Sequence, residues 1–94
     1  MKKICKMIDK IMDELHGARS YAEKWVEYMN MKTTWAKMYH EMAEQELNHA
    51  KYLKVMLDEF YESMGYKNEK TVKAYEDAIE HYARCVGEIK MILG

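Results

Sequence analysis

The sequence contains no proline and only four glycines among its 94 residues. Little in it forces the chain out of a helix, and no Ser/Gly/Pro-rich stretch divides it into two domains. Cysteine is equally scarce: Cys5 and Cys85 lie far apart, outside any Cys-x-x-Cys spacing. That excludes a zinc knuckle and points to a reducing compartment, with both thiols as small buried or half-buried residues. No apolar run approaches the roughly 18 residues of a membrane span. The first residues, MKKICKMIDKIMDEL, begin as a signal peptide would. Lys6, Asp9, Lys10 and Asp13 then interrupt the stretch that would have to be apolar, so the segment reads as mature helix and the expected location is the cytoplasm. An excess of one charge is missing too. The net charge of −1 leaves no bias toward nucleic acid or an anionic membrane, and neither is an expected partner.

What is present is helical periodicity. With 49% apolar and 33% charged residues, the chain has a soluble globular composition, and its length suits one domain over 1–94. Apolar residues recur in steps of three and four along three segments. The first stripe is Ile4, Ile8, Ile11, Leu15, Ala18, Ala22, Trp25 and Met29. The second is Trp35, Tyr39, Met42, Glu46, His49, Leu53, Met56, Phe60 and Met64, with two polar members. The third is Val72, Tyr75, Ile79, Tyr82, Val86, Ile89 and Leu93. The pattern predicts an all-α chain with helices over about 3–29, 34–64 and 68–93. Thr33 or Thr34 is the expected N-cap of the second helix, Gly65 a left-handed C-cap, and Asn68 the N-cap of the third. Both connections are short, so neighbouring helices should run antiparallel: a hairpin followed by a C-terminal helix. Gly17, inside the first helix, is expected to permit close helix approach. The ten methionines read mainly as core filling.

Residues 44–51 read EQELNHAK, and Glu46 and His49 fall on the apolar stripe between Met42 and Leu53. Burying an ionised carboxylate is costly unless something pairs with it, so both need partners. A Glu-x-x-His pair alone is a weak signal, satisfied equally by a half-exposed hydrogen bond within one helix. Hairpin geometry sharpens it. With the apex near Asn30, Glu46 lies sixteen residues after the turn and Glu14 sixteen residues before it. At about 1.5 Å per residue, both sit roughly 24 Å from the apex. Glu14 flanks the first stripe, so one carboxylate can meet a Glu-x-x-His pair at matched depth. This is half of a di-metal carboxylate set, whose oxygen and imidazole donors suit iron or manganese, with zinc less distinctive. The third helix offers no completing ligand: Tyr82, Ala83 and Val86 fall at that level, while Glu80 and His81 point away. Two copies would supply four carboxylates and two imidazoles about a two-fold axis, so a homodimer is the expected completion. Two divalent cations would balance the four negative charges. Tyr21 and Tyr39 share a level one heptad toward the apex. They are either core aromatics or residues that hydrogen-bond or donate electrons to the site.

With these residues identified, the chain resembles the ferritin-like di-iron carboxylate proteins, most closely the encapsulated-ferritin type in which each short chain carries half a site. IMDELHGARSY, residues 11–21, resembles that type's first-helix motif, with Glu14 at the ligand position and Tyr21 at the nearby tyrosine. AEQELNHAKYL, residues 43–53, resembles the second-helix motif, with Glu46 and His49 as ligands. The resemblance covers roughly residues 7–60. It implies a ferritin-like four-helix core formed by dimerisation and a ferroxidase using O2 or peroxide. It further implies two iron ions per dimer, with manganese or zinc as substitutes, and assembly of dimers into rings. Asp13 and His16 match positions where the family carries acids that guide iron inward; the histidine is a departure. The third helix is longer than the family leads one to expect. The chain ends GEIKMILG, without a shell-targeting extension, so association with an encapsulin shell is not expected. Two other readings stand beside the ferroxidase: a non-catalytic helical interaction protein, and a structural metal site that staples a dimer.

Overall fold

The computed structural model describes residues 1–94 as three helices: α1 (Lys2–Tyr28), α2 (Thr33–Ser63) and α3 (Glu69–Leu93). Each boundary lies close to the one expected from periodicity. Asn68 caps α3, its side chain accepting a 2.8 Å hydrogen bond from the Thr71 amide. Two expected caps differ. The N-cap of α2 is Lys32 rather than Thr33 or Thr34. Its ammonium lies 4.7 Å from the Trp35 ring centroid, so a cation–π contact holds the first turn where a hydroxyl was expected. Gly65 does not form a left-handed cap: α2 ends at Ser63 and leaves through an extended Met64, and the sole positive φ belongs to Gly94. No helix is long and apolar enough to cross a membrane.

α1 and α2 form the hairpin through small residues. Ile4, Ile11 and Ala18 of α1 share one core with Ala43, Ala50 and Leu57 of α2; with Ala36 they are all buried, and each series is spaced by sevens. Alanine at three successive heptad positions lets the two backbones approach closely. This corrects the expected stripe on α2. The large side chains Trp35 and Met56 are 48% and 56% exposed, and the buried column runs beside them. The helix carries two apolar stripes: the alanine column is buried, while Leu53, Phe60 and Met64 of the expected stripe pack partly buried against the same core. Of the two cysteines, Cys85 is half-buried as expected, but Cys5 is exposed.

α3 lies along one side of the hairpin, mainly against α1. Leu15 and Ala22 of α1 and Ala78, Ile89 and Leu93 of α3 are buried. Polar tethers hold α3 along its length. The Tyr75 hydroxyl donates to Asp58 at 2.6 Å, Lys54 donates to the other Asp58 oxygen at 2.8 Å, and Tyr75 stacks on Tyr61 at 3.7 Å. Arg19 pairs with Glu88 at 2.8 Å, and the His40 imidazole lies 3.2 Å from the Leu93 carbonyl oxygen. Burial pushes the Asp58 carboxyl up, but hydrogen bonds from Lys54 and Tyr75 outweigh it and leave the group below its ordinary value. Its stabilising contribution is therefore present above the ordinary carboxylate pKa and is lost as the pH falls through the lowered one. Tyr75→Phe should lower stability by about 1 kcal/mol, measured by chemical denaturation at neutral pH. The loss should shrink in acid as Asp58 takes up a proton.

The result is a thin rod of 54 × 17 × 16 Å. Its radius of gyration, 15.5 Å, exceeds the value of about 12 Å for a compact chain of this length. Only 13 of 94 residues are buried. The side of the hairpin that α3 leaves open carries Trp35, Met38 and Met56 as large exposed apolar side chains.

Candidate metal centre

Three heptad columns line this open face. α1 contributes Met7, Glu14, Tyr21 and Tyr28. α2 contributes Tyr39, Glu46, Leu53 and Phe60, and beside them Trp35, Met42, His49 and Met56. The single polar level in each column is the same level of the rod. Glu14, Glu46 and His49 converge there, with one ligand-type atom from each lying within 4.8 Å of the others. His49 Nδ1 is 3.6 Å from Glu14 Oε2 and 3.8 Å from Glu46 Oε1. Both imidazole–carboxylate spacings are short enough for one ion to lie about 2.0–2.2 Å from each donor of the pair. The carboxylates are sheltered, at 17% and 26% side-chain exposure for Glu14 and Glu46, while His49 is 56% exposed. The cluster therefore opens outward, away from α3.

The electrostatics are those of two acids sharing one place. A hydrogen bond with Glu14 pushes the Glu46 carboxyl above its ordinary value, and burial and the Glu14 charge add to the rise. His49 and Lys10 pull in the opposite direction but do not cancel it. Gly17 lies one turn beyond Glu14 and faces the same carboxylate: a Cβ at this position would stand 3.3 Å from Glu46 Oε2. Sequence reasoning connected neither Lys10 nor Gly17 with the site. Their i−4 and i+3 offsets from Glu14 were a usable signal.

Tyr21 and Tyr39 pack on one another, ring centroids 6.1 Å apart. Tyr39 also stacks on Tyr28 at 5.8 Å, and Tyr28 meets Trp35 edge-on at 5.4 Å, so four rings run in sequence toward the hairpin apex. Asp13 is exposed and outside the cluster. His16 lies elsewhere, in a cavity of about 230 Å³ between α1 and α3 that Met12, Arg19, His81 and Cys85 also line. There His81 Nε2 lies 3.4 Å from Cys85 Sγ, a contact that the i, i+4 spacing could have signalled. No protein-family model, curated protein or solved structure matches this chain.

Proposed function

We propose that two copies of this chain pair through the open hairpin face and bind two Fe(II) ions between Glu14, Glu46 and His49 of each, oxidising them to Fe(III). The observation that carries this reading is a three-donor cluster, supplied by two helices, on a face ringed by uncovered large apolar side chains. Burying that face against a second copy would form a four-helix core like that of the ferritin-like proteins, with α3 of each chain outside it. The family resemblance at residues 11–21 and 43–53 supports the same arrangement.

The chemistry follows from the donors. Carboxylate oxygens and imidazole nitrogen suit iron and manganese and accept zinc. Four carboxylates from two chains balance two divalent ions, and the raised Glu46 value marks a pair of acids that a cation would relieve. Each Fe(II) loses one electron. The pair thereby supplies the two electrons that, with two protons, reduce O2 to hydrogen peroxide or hydrogen peroxide to water. Glu14 and Glu46 would hold the ions through their carboxylate oxygens. His49 would supply a nitrogen donor, and the apolar rim, once covered by a second copy, would exclude water.

A second reading is favoured by one observation, the placement of the His49 imidazole 3.6 Å from Glu14 and 3.8 Å from Glu46, where an imidazolium could partner both acids without any ion. In that case the chain is a helical pairing module. Anaerobic Fe(II) titration, followed by air and read by native mass and absorbance, separates the two. One iron per chain, a dimer and an Fe(III) absorbance are expected. A chain that binds no iron but still dimerises would establish the pairing module; a dimer that binds iron without oxygen-dependent turnover would be a metal-stapled one.

A further inference from the structure

From the packing around the carboxylate pair we infer that Gly17 is a positioning residue for the Glu46 ligand, reserving the space its carboxylate occupies. The inference rests on the metal-centre reading above. A glycine inside a helix lowers helix stability relative to alanine, so its presence at mid-helix calls for a local reason. The reason at Gly17 is specific. The three atoms nearest to a Cβ built there are all from Glu46: Oε2 at 3.3 Å, Cδ at 3.8 Å and Cγ at 3.9 Å. Gly87, the other glycine inside a helix, is a built-in control, because a Cβ there meets nothing within 4 Å.

The contact is tight but yielding. At 3.3 Å the neighbour must give by a few tenths of an ångström, and the atom that must give is the free end of a flexible side chain. Alanine at position 17 is thus compatible with the fold. The accommodation falls on the oxygen that a metal ion needs, and ligand distances in metal sites hold to within about 0.2 Å. Gly17 acts through Glu46 and touches no ion itself.

The experiment is a double-mutant cycle in the full chain, using Zn(II) as a redox-silent probe. Gly17→Ala, Gly87→Ala, Glu46→Asp and Gly17→Ala/Glu46→Asp are compared with the wild type for metal-free melting temperature and Zn(II) affinity. Both glycine substitutions should raise the metal-free melting temperature. Only Gly17→Ala should weaken Zn(II), by about tenfold. In the Glu46→Asp background the same substitution should cost no further affinity, because a carboxylate one methylene shorter is withdrawn from the new methyl group. A purely structural role for Gly17 would not produce that non-additivity. Equal Zn(II) affinity of Gly17→Ala and wild type, with the wild type binding, overturns this inference alone. Absence of Zn(II) binding by the wild type overturns the metal-centre reading and this inference with it.

Discussion

Metal-free protein carrying Glu46→Gln should melt above the wild type at neutral pH and should show no response to Fe(II), Mn(II) or Zn(II). Glutamine keeps the shape of the side chain beside Gly17, and its amide can donate to Glu14, so packing is preserved while one charge is removed. The pH dependence has a definite sign. The folded chain holds Glu46 above the ordinary carboxylate value, chiefly through its hydrogen bond with Glu14. Between the ordinary and the raised value the folded state therefore binds more protons than the unfolded one, and wild-type stability falls as the pH rises through that window. Glutamine does not titrate, so this component of the fall should be missing from the variant. Metal should reverse the order of stability. Ligand at a hundredfold over Kd adds about 2.7 kcal/mol, on the order of 10 °C for a domain of this size. Only the wild type should gain it. Calorimetric melts from pH 4 to 8, with and without Zn(II), contain the whole comparison. A metal-free variant less stable than the wild type at pH 7, or one that still gains from Zn(II), would remove Glu46 from the site.

The second large effect concerns the open face. Met38→Glu/Met56→Glu should leave the isolated chain folded and hold it as a monomer that does not oxidise iron. Each methionine is 56% exposed in the single chain, so its replacement should change folding stability by no more than about 0.5 kcal/mol. In a face-to-face pair the same positions would be covered. Each chain would then forfeit the roughly 1.5–3 kcal/mol of a buried methionine side chain and would have to desolvate a carboxylate instead. A two-fold axis doubles every term, so the dimer dissociation constant should rise by on the order of a hundredfold or more. Sedimentation velocity across a concentration series, with circular dichroism to confirm helicity, reads this directly. A variant that stays dimeric and oxidises iron at the wild-type rate would show that some other surface pairs.

These expectations depend on a distinction the sequence conveyed only in part. Three helices, the Asn68 cap and the levels of Glu14, Glu46 and His49 were legible because each depends on local spacing: a heptad repeat, an N-cap offset, and equal distances from a turn. Which stripe of α2 faces inward was not. Ala36, Ala43 and Ala50 bury completely or nearly so while Trp35 and Met56 stay half outside, because small residues set the distance between helices. Hydrophobic size is a poor guide to that choice. The same reason hid the role of Gly17, which became apparent only once α1 and α2 were placed side by side. His16 illustrates the other limit. It lies two residues from Glu14, and the helix turns it into a different cavity.

The heptad columns also bear on how a partner would be aligned. Trp35, Met42 and Met56 repeat at seven-residue steps, as do Tyr39, Leu53 and Phe60. Sliding a second chain along such a face by one heptad exchanges one apolar contact for another at little cost. Glu46 and His49 break that near-translational symmetry once on α2, and Glu14 breaks it once on α1. A one-heptad slip would set a carboxylate against Met42, Leu53 or Tyr39 and leave it without a counter-charge, an error of several kcal/mol. In such a pair the polar level would serve as an alignment mark: with an ion held between the two chains, it would make one register of the paired rods far more stable than its neighbours.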